Sequence, residues 1–321
     1  ERSRKVIEEP GITKINLSTG PQAITGSTRM QATTIETFVV GNILQIALER
    51  TLRKFLSKKE MIKLGFEDEF RFEEKLKDFS YILEQVNNSL PAIARLTELE
   101  AETYKSQHFS TYFAQRGLIT VFIDSTERSP TFRLFPLDTI KEEKRKCWIQ
   151  VWTQAADLGS AWQAFLGRPF RGLNRDFYER PFMEEIEDLY LKRAALGSLK
   201  NAGDDQQNLY DFSFAEFNLK NRGPKKGDLG VAVCIATEEE ELAKKNSDFR
   251  KFIDLFLKQG ANVTLILVSD KSSDKISKLI RQIPDFEANP KNCLVAVKIS
   301  SKNDPLGLKQ QVALKILLNA H

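Results

Sequence analysis

Five short apolar runs constrain this chain more than anything else in it: LITVFID (118–124), CWIQVWT (147–153), LGVAVCIA (229–236), NVTLILVS (262–269) and CLVAVKIS (293–300). Each is continuous rather than alternating, the pattern of a strand covered on both faces. The last three alternate with amphipathic stretches at 246–259, 272–283 and 305–319 that read as helices. Strand–helix alternation requires crossover connections of one hand and so a parallel sheet with helices on both sides. The expected fold class is α/β: a three-layer sandwich around a five-stranded parallel sheet. Two long helical patterns, 28–56 and about 67–104, precede it. The first carries Ile35, Phe38, Val39, Leu44, Ile46, Leu48 and Leu52 on what reads as a broad core-facing stripe.

The totals exclude several classes. The 48 basic and 44 acidic residues leave a net charge of +4 over 321 residues, which makes no electrostatic case for nucleic acid. No apolar run approaches the roughly 20 residues that a membrane helix needs, so no membrane partner is expected. Cys147, Cys234 and Cys293 each sit in an apolar run, widely spaced and odd in number, which argues for buried reduced thiols and a cytoplasmic protein. With two histidines, His108 and His321, a histidine-rich metal site or a histidine triad is not expected. Neither common nucleotide fingerprint is present, and no cofactor is expected.

Two stretches have the composition of anion-binding loops. In TGPQAITGSTRMQATT (19–34), Thr25, Ser27 and Thr28 precede a helix, where hydroxyls cap free amides and the same amides can instead hold a phosphate. Gly26 permits close backbone approach and Arg29 adds a planar cation. In DSTERSPTF (124–132), Ser125, Thr126, Arg128 and Ser129 follow the first apolar run, and strand ends are where open α/β sheets bind ligands. For both, turn and capping chemistry is the competing reading. Glu127 and Glu238 stand in strand-end positions without a recognisable motif. Acidic TEEEEL (237–242) suits a helix start. Between the second and third runs lies a long insert, 154–228, whose Trp162, Phe165, Arg168, Phe170, Arg171, Phe177 and Tyr178 suit local packing or a protein contact.

The segment LSTGPQAITGSTRMQATTIETFVVGNIL resembles the signature of sugar isomerase (SIS) domain proteins, in the group that includes N-acetylmuramic acid 6-phosphate etherase and glucokinase regulatory protein. It matches at Gly20, Pro21, Ile24, Thr25, Gly26, Ser27, Thr28, Arg29 and Met30, and departs at Gln22, Gln31 and Thr33. VALKILLNAH (312–321) is similar to a lysine-bearing helix near the end of the second SIS domain, with Lys315 at the lysine. The resemblance implies that residues 1–62 close a first SIS domain whose sheet lies upstream, and that 63–321 form a second one. It also implies a phosphorylated sugar as ligand near Ser27, Thr28 and Arg29, with Lys315 reaching toward it, and pairing of SIS domains. The implied function is sugar-phosphate binding, regulatory or simply carbohydrate-binding. The alternatives are an etherase-like lyase or sugar-phosphate isomerase with its catalytic half upstream, and an interaction module with a degenerate pocket. No catalytic residue is assigned.

Overall fold

A computed structural model describes residues 2–66, 71–142 and 144–321. The start expected for the second long helical pattern, at residue 67, lies outside the described residues. The chain opens with α1 (Arg2–Glu8), α2 (Gln31–Leu52), α3 (Lys58–Lys63), α4 (Phe72–Asn88) and α5 (Leu90–Lys105). Next come β1 (Ser110–Ala114), α6 (Leu118–Phe132) and β2 (Ile149–Trp152). The insert supplies α7 (Leu158–Leu166), α8 (Arg175–Glu185), α9 (Leu189–Lys200) and α10 (Glu216–Arg222). Then β3 (Leu229–Ile235), α11 (Asp248–Lys258), β4 (Asn262–Ser269), α12 (Ser273–Ile280), β5 (Cys293–Lys298) and α13 (Leu308–Ala320) follow.

The five strands form one parallel sheet in the order β2-β1-β3-β4-β5. All of β1 through β4 is buried except Asn262 at the start of β4, as continuous apolar runs require. Tyr112, Val231, Val233, Val295 and Val297 pack on one face with α4, α5 and α13; Phe113, Ala232, Cys234, Leu265 and Leu267 pack on the other with α11 and α12. The three cysteines are buried free thiols. No described helix is long and apolar enough to cross a membrane, and no group of side chains suited to a metal ion occurs among the described residues.

Four of the five expected strands are present; the first is not where expected. LITVFID begins α6, and the strand before it is STYFA. Ile119 is 53% exposed, which a strand covered on both faces would not tolerate. Leu118, Val121, Asp124, Ser125, Arg128 and Ser129 are buried at helical spacing. The inward stripe changes from apolar to polar at Asp124, so neither half alone shows the 3.6-residue period.

The second correction concerns α2. It starts at Gln31, not Thr28, and only the first part of the expected stripe meets the core: Phe38 is buried and Ile35 and Val39 pack against it, but Leu44 and Leu48 are exposed and with Val40 and Ile43 form an outward apolar stripe, while Thr34, Asn42, Gln45 and Glu49 face inward. A close contact with α13 lies on this helix: a Cβ at Gly41 would lie 2.4 Å from Leu308 Cδ1, so the Leu308 side chain rests directly on the α2 backbone at that point.

Candidate functional site

In a parallel sheet of this order, connections leave β1 and β3 in opposite directions, and the crevice between their carboxyl ends is the usual ligand position. Here the chain fills it. Glu238, just after β3, accepts from Arg116 N at 2.7 Å and Ile235 N at 2.9 Å. Burial outweighs these bonds and pushes its carboxyl up to about 7. Beside it Glu239 pairs with Lys271 at 2.8 Å and accepts from Ser269. The loop that leads from β1 into α6, Gln115–Gly117, carries no hydroxyl side chain.

The sequence candidates gather elsewhere, where α6, α13 and the 25–30 loop meet. Arg29 is buried and its Nη1 donates to Asp124 Oδ1. The other oxygen of Asp124 holds Arg128, Nε at 2.9 Å and Nη2 at 2.7 Å. Arg128 Nη1 reaches Glu100 at 2.9 Å, and the same Glu100 oxygen faces His321 Nε2 at 2.7 Å. Tyr104 and Tyr112 donate to its other oxygen. Burial alone would raise the Glu100 carboxyl, but Arg128 and His321 outweigh it and hold it well below the usual range. Burial and then Glu100 push both tyrosines up, so they remain donors.

On the loop side, Thr28 Oγ1 donates to Glu127 at 3.4 Å, and buried Ser27 accepts from Thr131 at 3.3 Å. Gly26 adopts φ +82°, a conformation that favours glycine. Lys315, 2% exposed, donates to Asn319 Oδ1 at 2.9 Å; the Asn319 amide reaches back to Met30 O and Thr34 Oγ1 at the start of α2. Burial pushes the Lys315 ammonium down to about 8; Asp124 counters this and Arg29 adds to it. The hydroxyls do not cap α2: Met30 occupies the cap position without a side-chain bond. The Gln31 and Ala32 amides have no acceptor among the described residues. Arg29 Nε is buried with no partner.

The second candidate loop is not a loop. Ser125, Thr126, Arg128 and Ser129 lie on α6. Ser125 and Thr126 bond back to Phe122 O, the local bonding hydroxyls adopt within helices, and Ser129 bonds forward to Phe135 O just past the end of α6. Only Arg128 joins the cluster; Thr126 faces the opposite side. Thr25, in the loop, is exposed and makes no side-chain bond among the described residues. Sequence reasoning did not single out Asp124, Glu100 or Asn319. The one local signal was the i, i+4 spacing of Asp124 and Arg128.

A scan against protein-family models finds no match to this chain, and a search of curated proteins finds no relative of it.

Proposed function

We propose that this chain binds a phosphorylated sugar, through Ser27, Thr28, Arg29 and Lys315, in the manner of an SIS-domain protein with a regulatory or carbohydrate-binding role. The observation that carries the reading is that Arg29 and Lys315, far apart in the sequence, stand close enough for Arg29 to lower the pKa of the Lys315 ammonium, beside the unbonded amides at the start of α2. A phosphate there meets a guanidinium, an ammonium and a helix's positive end. Lyase or isomerase chemistry needs a carboxylate free to move a proton. Asp124 is tied to two guanidiniums, and Glu238 is buried and held by two backbone amides away from Arg29 and Lys315, so binding is the function supported best. Under this reading residues 1–62 complete one SIS unit and 63–321 form another.

The test is a thermal-shift series with hexose and amino-sugar 6-phosphates, and inorganic phosphate alongside. A ligand at a hundredfold its Kd adds about 2.7 kcal/mol, a rise of several degrees in Tm. No rise with any sugar phosphate overturns the reading.

The outward apolar stripe of α2 supports self-association of the same protein, since contiguous exposed apolar surface marks contact sites. Sedimentation should show a dimer for the unaltered chain and a monomer for Leu44→Glu/Leu48→Glu; an unaltered chain that is monomeric at about 50 µM, well above a micromolar Kd, refutes this.

A further inference from the structure

A cavity of about 400 Å³ runs along the open edge of β2 and takes no part in the cluster above. Its size falls within the range of small-molecule sites. Among the described residues the sheet continues beyond β2 as a single bridge, Thr153 to Ser213, with Thr153 N donating to Phe212 O at 2.9 Å. Below that bridge the insert stands away from the strand. Aromatic rings wall the gap: Phe122, Trp162, Phe165 and Phe212 meet edge to face at centroid distances of 4.9 to 5.9 Å. Trp162 is anchored by its Nε1, which donates to Gln207 O at 3.0 Å.

Two strand residues that line this gap, Gln150 and Val151, carry polar groups without a partner among the described residues. Gln150 Nε2 donates to Thr111 Oγ1 at 2.8 Å and to Arg222 O at 3.0 Å, which fixes the amide's orientation. Its Oε1 is buried with no partner. A buried acceptor without a donor costs about 1–3 kcal/mol, so it marks a place where something else belongs. Strand residues alternate in the direction of their backbone groups. Thr153 turns its N–H outward, so Val151 turns its N–H and C=O the same way, and no other segment among the described residues takes them.

Charge narrows the ligand. Arg222 lines the cavity, but its guanidinium is spent on Asp138 O and Thr139 O. Asp138 and Asp211 line it too, their carboxylates accepting from the Lys146 and Cys147 amides and from Ser213. Two carboxylates against one guanidinium disfavour an anion, so this is not a second phosphate site.

We propose that the β2 edge cavity binds a small, flat, uncharged molecule with an N–H donor next to a carbonyl acceptor, the edge of a planar lactam. The ring lies among the aromatic walls. Its N–H satisfies Gln150 Oε1, and its carbonyl accepts from the outward N–H of Val151. The inference is independent of the sugar-phosphate reading, because of the residues assigned above only Thr126 lines this space.

The test uses quinolin-2(1H)-one and its N-methyl derivative as a matched pair, titrated calorimetrically into the full chain. The lactam is expected to bind with a Kd below about 1 mM, and the N-methyl form at least about tenfold more weakly, because the hydrogen bond to Gln150 is lost. Thr126 is exposed at the mouth, so Thr126→Trp should leave folding intact and abolish binding. Equal affinity for the two compounds, unchanged binding in Thr126→Trp, or no binding of the lactam at its solubility limit would each overturn the proposal.

Discussion

Asp124→Ala is expected to destabilise the protein by about 4 kcal/mol. Breaking a buried ion pair by removing one partner costs roughly 3–5 kcal/mol, because an uncompensated charge is left in a poorly solvated place. Here the loss reaches two guanidiniums. Arg128 retains Glu100, 2.9 Å away, but Arg29 has no other carboxylate partner among the described ion pairs. The double change Arg29→Met/Asp124→Leu removes both charges and keeps the volume, so it should recover most of the loss. Urea unfolding of the two variants gives the comparison. A cost below about 1 kcal/mol for Asp124→Ala, the value of an exposed pair, would mean that water reaches the cluster.

Lys315→Met should do the opposite to stability while abolishing sugar-phosphate binding. An ammonium held down to about 8 against an ordinary 10.5 is charged at a cost in the folded state below pH 8. That difference is worth about 3 kcal/mol, from which the loss of the bond to Asn319 subtracts about 1. The variant is therefore expected to be about 2 kcal/mol more stable at pH 7. The sign with pH follows from proton counts. Between pH 8 and 10.5 the unfolded lysine holds a proton that the folded one has released, so the unaltered protein gains stability as pH rises. Above pH 10.5 both forms are neutral and the advantage of methionine vanishes. Unfolding at pH 7, 9 and 10.5 measures this. A methionine variant less stable at pH 7 would show that Lys315 is a structural cation. Gain of stability with loss of ligand is the pattern of a group kept for binding.

The strands β2 to β4 were legible because a strand buried on both faces needs a nearly continuous apolar run, and these have one; β5 shows such a run too, although Leu294 and Ala296 are only half-buried and Lys298 is exposed. STYFA was not, because it buries Ser110 and Thr111 as well as Tyr112 and Phe113. LITVFID misled for the complementary reason: its β-branched and aromatic residues favour a strand, but its inward positions continue as Asp124 and Arg128. The stripe on α2 was visible, yet not that it would divide, with Phe38 turned inward and Leu44 and Leu48 outward; which side packs is set by contacts such as Leu308 on Gly41, far apart in the chain.

The candidate site divides in the same way. Thr25, Ser27, Thr28 and Arg29 stood out as a hydroxyl and arginine loop before a helix, and Lys315 through a resemblance. Nothing local revealed that Arg29 would meet Asp124, or that Asn319 would link Lys315 to the start of α2. Periodicity and run length act over a few residues, so the parallel sheet and its helical layers were already written in the chain. The partner of a buried charge, the outward turn of a helix face and the gap beside an edge strand arise only when distant segments pack together, and those the folded molecule alone decided.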